Sequence, residues 1–193
     1  MQLIRDSSQR IEAYNEGLVV FLYDDASSAN IDKANPTILE GFGEDDAKDK
    51  CLAELAKSGT LVVFELEQDD ELAIELAVGD PMSHEELAGG HWLAPQQARL
   101  HLPSGELRIE NYNNLQFDEY AEDEEPAPRV SLPAGDYKLT LYRRDIYRYE
   151  TEDEEPPQPL HVITLTPDAG PTVNVSCAML RAQSLSDSWS VST

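Results

Sequence analysis

The chain has 193 residues and a formal net charge of −24, from 38 acidic against 14 basic side chains. That length suits one domain with a full apolar core. The charge repels nucleic acid and anionic membrane, and it favours basic surfaces and cations.

The N-terminal stretch MQLIRDSSQR lacks the apolar centre of a signal peptide. No apolar run approaches the roughly 18 residues of a spanning helix. The two cysteines, Cys51 and Cys177, are far apart, which fits neither a disulfide framework nor a metal-ligand pair. The expectation is a cytoplasmic protein with reduced thiols, no membrane contact and no cofactor.

LVVFLY (18–23) reads as a short buried strand. The spacing of Ala47, Cys51, Leu52, Leu55 and Ala56 predicts a helix over 44–58, with acids in its first turn and Gly59 just past its end. TLVVFELE (60–67) and ELAIELAV (71–78) alternate cleanly and predict a hairpin around Gln68-Asp69-Asp70. Its register would put Phe64 opposite Ile74 and Leu66 opposite Leu72. PMSHEELAGG (81–90) predicts one helical turn, with Ser83 as N-cap and Glu86 answering it.

Residues 102–107, LPSGEL, recur thirty positions later as LPAGDY at 132–137. Gly at the tip and Pro before it suit a tight turn between strands. Each copy therefore reads as a hairpin, Leu102 facing Leu107 and Leu132 facing Tyr137. The pair is either one design used twice or convergence on a favoured turn. LHVITLT (160–166) and TVNVSCAM (172–179) add two strands, and the polar tail 181–193 is expected to be loose. Acidic runs at 118–126 and 150–157 read as solvated loops. The predicted fold is one mainly β domain over 1–180, a sandwich or strongly bent antiparallel sheet built from hairpins, with one packed helix.

The candidate site is an acid comb. On the predicted 60–78 hairpin, Glu65, Glu67, Glu71 and Glu75 share the face opposite the core, with Asp69 and Asp70 at the tip. Glu67 would oppose Glu71, a destabilising like-charge pair. No Lys or Arg occurs from Ser58 to Ala98 to relieve it. Such a face either keeps a sheet edge from aggregating or docks a basic partner. A protein that imitates nucleic acid and occupies a DNA-binding protein would have the same electrostatics. The alternative is a small-molecule or carbohydrate site built from Trp92, Tyr112 and Tyr142 in the tyrosine-rich second half.

Catalytic and metal motifs are incomplete. HEELAGGH (84–91) has Ala88 where a zinc protease needs its second His. GFG (41–43) lacks the third Gly of a dinucleotide fingerprint, and no calcium-loop or nucleophile-elbow pattern occurs. No catalytic residue and no metal ligand is expected.

WLAPQQARLHLPSGELRIENYNNL followed by RVSLPAGDYKLTLYRRD resembles a bacterial protein family without an assigned activity, over about residues 92–145. That resemblance implies a β-rich bacterial domain and transfers no catalytic residue. Over one turn and one strand, PAGDYKLTLY also resembles β-sandwich binding domains and the competence-associated nuclease inhibitors. The expected function is an acidic inhibitor, immunity-type protein or adaptor that docks a basic protein surface.

Overall fold

The computed structural model describes residues 8–15, 19–31, 46–65, 70–88, 90–111, 127–151 and 157–168. In chain order it has strands β1 (Gln9–Asn15) and β2 (Val19–Asp24), then helix α1 (Asp46–Lys57). Strands β3 (Leu61–Glu65) and β4 (Asp70–Val78) follow, then the short helix α2 (His84–Leu87). The second half has β5 (Gln96–Leu102), β6 (Glu106–Asn111), β7 (Arg129–Ser131), β8 (Gly135–Arg143), helix α3 (Ile146–Thr151) and β9 (His161–Pro167).

The strands form two sheets, one ordered β1-β4-β9-β8-β5 and the other β3-β2-β6-β7. Only the β4–β9 pairing is parallel among these neighbours. The main core lies between the sheets, where Leu22, Phe64, Ile74, Leu100, Leu107, Tyr137, Leu139 and Ile163 interlock. β2 is buried along its whole length because both its faces are covered. Val20 and Leu22 enter the inter-sheet core, while Val19, Phe21 and Tyr23 meet Cys51 and Leu55 of α1. Each such side chain contributes about 1.5–3 kcal/mol by leaving water. α1 stops at Gly59, which sits at φ 73° just past the end and donates its N–H to the Ala56 carbonyl. The mainly β class with a packed helix is as expected.

The two Pro-x-Gly turns are not hairpins, which corrects the expectation. β5 and β6 lie in different sheets, as do β7 and β8. Segments 96–111 and 129–143 are instead one long antiparallel ribbon that bends from one sheet into the other. The ladder runs from Gln96↔Leu141 to Leu102↔Gly135, and resumes without a slip at Glu106↔Ser131 and Arg108↔Arg129. At the bend the Leu132 N–H donates to the Gly105 carbonyl at 2.7 Å. Both strands must turn at the same place, so both carry the same turn residues. A Cβ on Gly105 would lie 2.3 Å from the Leu132 carbonyl oxygen, and its φ is +78°.

The first half repeats the device. β1 pairs with β4 in one sheet, β2 pairs with β3 in the other, and Asn15↔Asp70 and Val19↔Glu65 face each other across the corner. The predicted 60–78 hairpin is therefore also a corner between sheets. Both arrangements put the same apolar side chains indoors: Phe64 and Ile74 share the inter-sheet core without being ladder partners. Glu71 faces Tyr14 on β1, and Glu67, its expected partner, lies outside the described residues.

The strand expected at 172–179, Cys177 and the tail from 181 lie outside the described residues, as do the acidic run 118–126 and GFG at 41–43. Among the described residues, no helix is long and apolar enough to cross a membrane.

Candidate functional site

The acid comb does not form one exposed face. Glu75 has 0% exposure; Ser8 Oγ donates to its Oε1 at 2.5 Å, and Arg10 sits opposite it on β1. It is therefore withdrawn from any docking surface. The cause is β1, an unpredicted edge strand that brings a donor and a cation from far away in sequence. Glu65 ends β3, Asp70 and Glu71 open β4, and these three flank the corner of the first ribbon. Glu67 and Asp69 lie outside the described residues. The described positions of the comb other than Glu75 are thus three acidic residues at strand ends that border residues 66–69.

Several basic side chains are covered as well. Arg143 and Arg144 are buried, at 3% and 8% exposure. Arg143 points into the end of the core, where its Nη2 donates to Gln96 Oε1 at 2.6 Å. Arg99 and Arg108 are mostly covered and reach Asp136 and Glu110. Asp25 links Arg108 to Arg129 at 3.6 Å from each, which relieves a directly opposed pair of cations. By contrast, Glu12, Glu54, Asp80 and Glu85 are exposed. Lys57, Arg129, Lys138 and Arg148 are exposed too, and Asp24, Glu75 and Glu110 are buried, so the acidic field outside follows from the net charge of −24 rather than from burial of the bases.

Trp92 and Tyr142 do come together, in a small cluster with Met82, Leu87 and Val162 on the outer face of the five-stranded sheet. Both are engaged in packing. The Arg144 guanidinium lies 4.1 Å from the Trp92 ring centre, and its Nε donates to the Pro159 carbonyl at 3.0 Å. The Tyr142 hydroxyl accepts the Met82 N–H at 3.0 Å. Tyr149 accepts the His91 N–H at 3.3 Å, and the Tyr137 hydroxyl donates to the Pro133 carbonyl. Tyr112 lies outside the described residues. Ser83 and Glu86 form the expected capping box, so HEEL is a capped turn. Among the described residues, no group of three or more His, Cys, Asp or Glu is placed to hold a metal.

Three buried polar features were not read from the sequence. Asp24 accepts N–H groups from Ala26, Ser104 and Gly105 and the Ser104 hydroxyl, at 2.8–3.2 Å, and so pins the first Pro-x-Gly bend. Tyr23 donates to Glu110 at 2.5 Å, and Arg108 pairs with the same carboxylate. His161 is buried beside Phe64, opposite Arg143 in the ladder, and its Nδ1 has no hydrogen-bond partner. Burial, then the Arg143 charge, pushes its pKa down to about 3. Asp24 and Ser104 are eighty residues apart, so no local pattern announces their contact.

No family model matches the chain, and no curated protein matches it. Two solved structures are similar. "Crocagin biosynthetic gene J" is 16% identical, with 84% of this chain and 96% of that one covered, at a TM-score of 0.49. ComJ from Bacillus subtilis, described as an inhibitor of the DNA degrading activity of NucA, is 13% identical. There the coverage is 83% of this chain and 97% of that one, at a TM-score of 0.48.

Proposed function

We propose that this chain is a binding protein rather than an enzyme, and that it docks a basic protein surface as an inhibitor, immunity-type protein or adaptor. The net charge carries this reading: 38 acidic against 14 basic side chains leave the chain at −24, with Glu12, Glu54, Asp80 and Glu85 among the acids at the surface. Such a field steers a cationic partner to the surface and turns away polyanions, so nucleic acid is not bound directly. The docking surface centres on the corner flanked by Glu65, Asp70 and Glu71, and it includes Glu67 and Asp69 by chain position. Glu75 takes no part.

Capture from a host lysate at low salt, eluted by a salt gradient, tests the reading. One basic protein released at a defined salt concentration supports it. A clean column, or only diffuse basic background, overturns it.

A further inference from the structure

We draw no further inference here: the strongest candidate, the fully buried Thr140–Thr164 pair of unpartnered hydroxyls one row from Glu75 on the outer face of the five-stranded sheet, carries nothing because the Met82, Leu87 and Trp92 cluster covers the neighbouring Tyr142–Val162 row and no described residue shows what covers the two hydroxyls themselves.

Discussion

Asp24 and His161 are buried polar groups with opposite circumstances. Asp24 has four donors, three of them backbone N–H groups. Asp24→Ala strands those donors in the interior and should cost roughly 3 kcal/mol, read as a lower midpoint in urea. Asp24→Asn keeps the shape and should cost less. His161 is neutral in the folded protein down to about pH 3, whereas the unfolded chain takes up its proton near 6.5. Between those values the unfolded state binds the extra proton, so this residue's contribution falls as pH falls from 6.5 towards 3. The limiting slope is about 1.4 kcal/mol per pH unit. Protonating the surface carboxylates relieves self-repulsion over part of the same range, so the useful quantity is the difference between wild type and His161→Gln. The variant should lose less stability on acidification; parallel curves would remove His161 from the account. Neither residue is legible locally, because each owes its state to chain that is remote in sequence.

The bent ribbon is the element that organises the molecule. Gly105→Ala requires φ near +78° for a residue with a Cβ and drives that atom into the Leu132 carbonyl. The substitution should cost roughly 3 kcal/mol or more. A fall of under about 0.5 kcal/mol, the range of an ordinary surface change, would contradict the close approach. Helix α1 offers a gentler test. Burial, with Glu54 nearby, raises the Cys51 thiol above its ordinary value, so it should alkylate slowly at pH 8 in the folded protein and fast in urea. Equal rates would place that helix face in solvent. Strand positions, the helix and the capped turn were readable from period and caps, as Val62, Phe64, Ile74 and Leu76 illustrate. Connectivity was not. A two-residue hairpin and a bend between sheets both put Leu102 and Leu107 indoors, so the apolar pattern satisfies either one. β1 was missed because, among its described side chains, only Ile11 is a large apolar residue facing the core.

At the scale of the whole molecule, composition disclosed the charge but not its distribution. Arg143 and Arg144 stand between two acidic runs in sequence, at 118–126 and 150–157. The fold instead turns Arg143 into the end of the core and lays Arg144 on Trp92. Glu75 shows the reverse error: alternation placed it outside, and a strand from the N-terminal end covered it. The site was therefore legible as an acid-rich stretch and illegible as a surface.

The most direct test follows partner binding across a salt series, for wild type beside Glu65→Lys/Asp70→Lys/Glu71→Lys, with thermal unfolding of both proteins as the check on folding. Affinity for the captured basic protein should fall steeply with salt in the wild type. In the variant it should be at least ten-fold weaker at low salt and nearly flat across the series, a loss of about 1.4 kcal/mol or more. A folded variant that binds as wild type does, with the same salt dependence, would contradict docking through this corner.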